Sequence, residues 1–253
     1  RRLANNEVVG NLISGNTTGV FLQEVGATGN LILENFIGID LTGSSSISNS
    51  GDGIRLGNGP NDNDISDNLI SGNGANGIYI FDFLDNGTSS NRVTGNIIGT
   101  NEAVTDRLPN QRDGIRIEQS DNNLVNSNIL SGNNSNGIEI VGEQSSENII
   151  TGNIIGLADD GITKLSNQFS GVALSDAVNN SIGGEEASTG NLISGNGGIF
   201  DGIFLRASGI WLSGNSSGNR IQGNYIGTDL NGTTSSDTGN SDDGIKVDGE
   251  SGN

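Results

Sequence analysis

The chain has no cysteine, no histidine and no methionine, and only two prolines and one tryptophan. Without cysteine there are no disulfides and no thiolate nucleophiles or metal ligands. Without histidine there are no histidine metal sites, no Ser-His-Asp triads and no access to the commonest general base. Basic residues are scarce: 11 Lys and Arg stand against 30 Asp and Glu, a net charge of −19 over 253 residues. That balance disfavours nucleic acid and anionic membranes as partners. No apolar run is long enough for membrane insertion. Hydrophobic residues make up 31%, too few for a broad globular core but enough for a narrow aliphatic column.

Asparagine and glycine are what the chain has instead. Asn6, Asn30, Asn63, Asn91, Asn123, Asn148, Asn180 and Asn219 each open a short segment such as NRVTGN or NIITGN. A second Asn follows at Asn11, Asn35, Asn68, Asn96, Asn128, Asn153, Asn191 and Asn224, then a run such as GIRL, GIYI or GIEI. The opening Asn residues are spaced by 24, 33, 28, 32, 25, 32 and 39 residues. Short units reading NLISGN alternate with long ones such as NFIGIDLTG, NIIGTNEA and NYIGTDLNG. A repeated unit of two or three short strands without helices predicts a solenoid.

Within each GIxI run apolar residues alternate, which predicts a strand with one buried face. One inward column reads Val20, Ile54, Ile78, Ile115, Ile138, Val172, Ile210 and Ile245. Three more aliphatic columns run beside it, one of them through Val8, Ile32, Ile65 and Val93. One unit cannot bury such a strip alone, but stacked copies bury it against each other. The sequence therefore predicts an all-β, right-handed parallel β-helix of about eight coils, alternately short and long, forming a single domain over 1–253. The rod would be roughly 35–40 Å long. The Asn columns are expected at the corners, in left-handed conformation and stacked by their amides. The chain reads as part of a longer solenoid, with no polar cap visible at either end. Residues 197–208, GGIFDGIFLRAS, interrupt the register and read as an extruded loop.

The phrases GNLISGNGANGIYI, NNSIGGEEASTGNLISGN, NIIGTNEA and NYIGTDLNGT resemble those of bacterial right-handed parallel β-helix repeat proteins of secreted or surface type. The resemblance covers essentially the whole chain. It implies the fold and an extracellular or cell-surface location, and says little of activity, since polysaccharide lyases, hydrolases, epimerases and phage tailspikes share the architecture.

The outward residue of each GIxI strand forms a column: Phe21, Arg55, Tyr79, Arg116, Glu139, Ala173, Trp211 and Lys246. Arg55, Tyr79, Arg116, Glu139, Trp211 and Lys246 are the candidate ligand-binding residues, suited to a polysaccharide. Arg116 beside Glu139 is expected as an exposed ion pair worth about 0–1 kcal/mol, and Tyr79 could stack on Arg55 or Arg116. Asp52, Asp113 and Asp243 recur before the strand glycine in every second unit. They continue the repeat rather than break it, so no catalytic residue is assigned. The acidic loop with Asp229, Asp237, Asp242 and Asp243 is the candidate for weak Ca²⁺ binding, the one cofactor considered. Phe200, Phe204 and Leu205 are candidate interface residues, with the chain itself or the rest of a longer chain as partner. The first expectation is a non-catalytic structural or adhesive segment; the alternative is a carbohydrate-active enzyme or glycan-binding tailspike-like domain.

Overall fold

The computed structural model describes residues 3–186, 189–233 and 238–249. Its strands form three parallel eight-stranded sheets, coiled as a right-handed parallel β-helix, and one two-stranded hairpin. No helix long and apolar enough to cross a membrane occurs among the described residues. Each coil gives three residues to the first sheet, two to the second and four to the third, for example Leu124–Asn126, Ile129–Leu130 and Ile138–Val141. Like residues pair with like one coil on: Val93 with Val125, Ile98 with Leu130, Ile115 with Ile138. The four predicted aliphatic columns form one continuous core, fully buried through the middle coils.

The Asn ladders run along the rod. In each interior rung the side-chain amide donates to the next Asn and the carbonyl oxygen accepts from the one before. Asn68 Nδ2 thus reaches Asn96 Oδ1 at 3.0 Å, and Asn96 Nδ2 reaches Asn128 Oδ1 at 3.0 Å. The left-handed turn is not made by these Asn residues. It is made by the residue before each: in the first ladder Asn5, Gly29, Asp62, Ser90, Asn122, Glu147, Asn179 and Gly218 all have positive φ. The ladder amide must point along the rod, so the strain of turning is displaced by one position, even onto Glu147 and Ser90.

A third ladder passes unnoticed in the sequence: Asn16, Asn49, Asn73, Asn110, Asn133, Asn167, Asn196 and Asn240. It lies where the second sheet turns to the third. The strand glycines that follow are needed for close approach rather than for φ. A Cβ at Gly114 would lie 2.6 Å from the Gly137 carbonyl oxygen and 2.9 Å from Asn133 Nδ2.

The long-coil loops fold as fins over the second sheet. Antiparallel bridges close them at Ile39–Ser46, Thr100–Arg107 and Leu157–Lys164. Val104, Ala158 and Leu165 are buried there against the outward side chains Ile97 and Ile129. Each short coil ties in through the serine of its SGN phrase: Ser71 Oγ donates to Thr100 O at 2.8 Å, and Ser131 Oγ to Leu157 O at 2.7 Å. Alternation of coil length thus lets each fin cover outward apolar residues of its own coil and a neighbour.

Within 197–208, Gly198–Phe200 and Ile203–Leu205 pair as an antiparallel hairpin. Its base is held to the last coil by Ser241 Oγ, which donates to Leu205 O at 2.8 Å, and by the Arg206–Asp242 ion pair at 3.2 Å.

Candidate functional site

The predicted outward column stands in register on the third sheet: Phe21, Arg55, Tyr79, Arg116, Glu139, Ala173, Trp211 and Lys246 are neighbours in that order. A second outward column lies two residues on, with Gly57, Phe81, Glu118 and Val141 in register. Strand alternation places these residues on the same face as the first column. They decide the chemistry of the face.

The structure divides the column into three groups. In the first, Arg55 lies among aromatic rings: its guanidinium carbon is 5.4 Å from the Phe21 ring, 5.5 Å from Tyr79 and 4.7 Å from Phe81. Tyr79 stacks on Phe81 at 4.7 Å, and Phe83 extends the strip at 5.0 Å. In the second, Arg116 Nε donates to Glu118 at 2.9 Å, Arg116 pairs with Glu139, and Asp113 lies 3.7 Å away. The Tyr79 hydroxyl donates to Glu118 at 2.7 Å. In the third, Lys246 Nζ sits 5.8 Å from the Trp211 ring and 3.4 Å from Asp248. Ala173 separates the second group from the third.

One expectation is corrected here. The Arg116–Glu139 pair is not an exposed surface bridge; the side chains retain 25% and 22% of their exposure within a network of three carboxylates. Of the two partners open to Tyr79, its ring takes Arg55, and its hydroxyl bonds Glu118. Two of the Asp-Gly aspartates, Asp52 and Asp113, are ladder members. Asp52 and Asp113 are buried and accept from the main-chain and side-chain nitrogens of Asn76 and Asn136.

Burial, then the charge of Asp113, pushes the Glu139 carboxyl up to about 7, against the opposing pull of Arg116. Between the ordinary carboxylate range and pH 7 the folded chain therefore holds a proton that the unfolded chain has lost. This stabilisation is complete below about pH 4.5 and is lost as pH rises through about 7. Wild-type stability should fall between pH 5 and pH 8, and Glu139→Gln should flatten that dependence. Arg116→Ala should cost roughly 2–4 kcal/mol at pH 8, where three carboxylates lose their cation, and clearly less at pH 5. Denaturant midpoints across that range check both; equal costs for Arg116→Ala at the two pH values would reject the shared-cation arrangement.

The acidic-loop residues are engaged locally. Asp229 accepts from Asn231 N, Thr233 N and Thr233 Oγ1, which holds its carboxyl below the usual range. Asp40 and Asp160 do the same in their own fins, and Asn101 accepts from Thr105 N and Asp106 N. Asp229 is thus the last of four fin-tip caps. Asp242 pairs with Arg206, Asp243 is exposed, and Asp237 lies outside the described residues. Among the described residues no three acidic side chains gather into a metal-ligating group. In the hairpin, Phe200 covers the Arg107 guanidinium at 4.7 Å, Leu205 is half-buried, and Phe204 is exposed beside Ile199 and Ile203.

No family model and no curated protein matches the sequence. Among solved structures, the chain is similar to the A-module of the mannuronan C-5 epimerase AlgE4 of Azotobacter vinelandii. The TM-score is 0.60 at 17% identity, covering 86% of this chain and 54% of that one. It is also similar to the periplasmic alginate epimerase AlgG, with a TM-score of 0.47 at 18% identity over 96% of this chain and 45% of that one. The chain thus spans about half the length of either. From sheet order, register and the first of these likenesses, the chain has the fold of the right-handed parallel β-helix proteins.

Proposed function

We propose that the chain is a non-catalytic, glycan-binding segment of an extracellular or periplasmic bacterial β-helix protein. The glycan lies along the outer face of the third sheet. One observation carries this reading: the long-coil fins pack over the second sheet rather than over the aromatic and charged column of the third. Such a strip suits contact with an extended chain of sugars, whose apolar ring faces bury against aromatic rings. Water-excluding closure around a reacting bond, which catalysis exploits, is not supplied by those loops.

A second reading, a uronan epimerase or lyase, is favoured by Glu139. A carboxyl poised near neutrality beside Arg116 and Tyr79 is the kind of group that moves protons. Incubation with mannuronan and polygalacturonate in D₂O separates the two. The expected result is no unsaturated product and no deuterium at C-5 above background. Incorporation that disappears in Glu139→Gln would replace the binding reading with the enzymatic one.

A further inference from the structure

We infer that Arg55 is a recognition site for a sugar carboxylate, so that the glycan bound along this face is a uronan. The inference rests on the glycan-binding reading and specifies its ligand.

Arg55 and Arg116 occupy the same column and follow the same motif, Asp-Gly-Ile-Arg, with the aspartate three residues back. Their surroundings differ. Arg116 is engaged by two glutamates in addition to its aspartate. Among the described residues Arg55 pairs only with Asp52, 4.0 Å from its Nε, and that Nε is buried without a hydrogen-bond partner. The Asp52 Oδ1 oxygen is already committed to Asn76. A guanidinium is a planar fork of donors, and its terminal nitrogens, which carry the exposure that Nε lacks, are the donors an incoming anion would meet.

The box around Arg55 is built rather than incidental. Phe81 is 4% exposed and lies over Gly57, where a Cβ would come within 2.3 Å of the ring. Only glycine at position 57 leaves room for that ring beside the guanidinium. Phe21 and Tyr79 border it on the two neighbouring coils. The rings restrict the guanidinium and lower the local dielectric, which strengthens a charge-assisted bond to an incoming anion. The half-exposed side chain leaves a path for that anion.

The chemistry selects a carboxylate. Asp52 already balances the guanidinium's charge, so the selection rests on shape: the planar fork of donors matches the two oxygens of a carboxylate. The flanking rings ask for an apolar face next to the charge. A uronate ring offers both at the required adjacency.

The test uses the full chain and hexamers of mannuronate and of galacturonate, each compared with its carboxyl-reduced counterpart, by titration calorimetry. At least one uronate hexamer should bind about tenfold or more tightly than its reduced form. Arg55→Gln should erase that difference and leave binding of the reduced form within about twofold. Arg55→Lys, which keeps the charge but loses the fork, should recover only part of it. Gly57→Ala, which displaces the Phe81 ring, should weaken the acidic hexamer while the thermal transition confirms folding. If reduced and acidic hexamers bind equally, Arg55 does not read a carboxylate and the glycan-binding reading survives alone. If no hexamer binds, both fail.

Discussion

Ile115→Asp should break the rod at its middle. Ile115 is fully buried between Ile78 and Ile138, its partners in the coils on either side. Removing the aliphatic side chain costs roughly 2–4 kcal/mol. Burying a carboxylate with no cation in the column adds several more. A total of about 5 kcal/mol or more belongs to the extreme of point-mutant effects. Each coil contacts chiefly its neighbours, so the damage should open a local segment rather than the whole rod. Denaturant unfolding should acquire an early transition, and hydrogen exchange should accelerate in the coils carrying residues 78–81, 115–118 and 138–141. Phe21→Asp, on the outward face of the same sheet, should cost about 1 kcal/mol or less. Equal costs would mean that the strands are slipped by one residue, which exchanges the inner and outer faces.

Asn96→Ala should be nearly as damaging although it removes no apolar surface. The Asn96 amide donates to Ile65 O at 2.8 Å, to Thr94 O at 3.1 Å and to Asn128 Oδ1 at 3.0 Å. Its oxygen accepts from Asn68 N at 2.9 Å and Asn68 Nδ2 at 3.0 Å. Alanine leaves the Asn68 N–H buried and unmet, at about 1–3 kcal/mol, and removes a donor from the Ile65 carbonyl and from Asn128 Oδ1. The expected loss is roughly 3–6 kcal/mol. Asn96→Asp should be no milder, since a carboxylate cannot donate to the Asn128 oxygen it would face. Asn11→Ala, at the exposed first rung, should cost about 1 kcal/mol, because Asn11 receives no bond from a preceding rung among the described residues. Matching losses at positions 11 and 96 would reject the ladder as a cooperative element.

The inward columns and the first two Asn ladders were legible because their spacing from the adjacent strand is nearly constant. The third ladder was not. Its Asn follows the second-ladder Asn by five residues in short coils, by fourteen in three long coils and by sixteen in the last. A column split by loops of unequal length has no single period to find, although alternation of short and long units would have exposed it. The left-handed corners were misassigned by one residue for a different reason. Local propensity favours Asn there, but an Asn whose amide bonds both neighbouring coils is worth more to the fold than an Asn in its preferred turn. The fins were visible as extra length. That they lie on the second sheet, and not beside the Arg55–Lys246 column, follows from outward apolar residues such as Ile97 and Ile129 that need cover.

By itself the sequence determined the solenoid, the parallel pairing, the register and the membership of the outward column, because a stacked repeat converts sequence position directly into spatial position. It did not determine what each outward charge is worth. Arg55 and Arg116 share column, motif and preceding aspartate, yet one is boxed by rings with a donor unmet and the other is shared by three carboxylates. The difference comes from Gly57 and Phe81 around the first, and Glu118 and Glu139 around the second. The partners that matter most, Phe81 for Arg55 and Glu139 for Arg116, stand one coil away and more than twenty residues off in sequence. Burial and Coulomb interaction act over a few ångströms of space, so only the stacking of coils decides which charges meet.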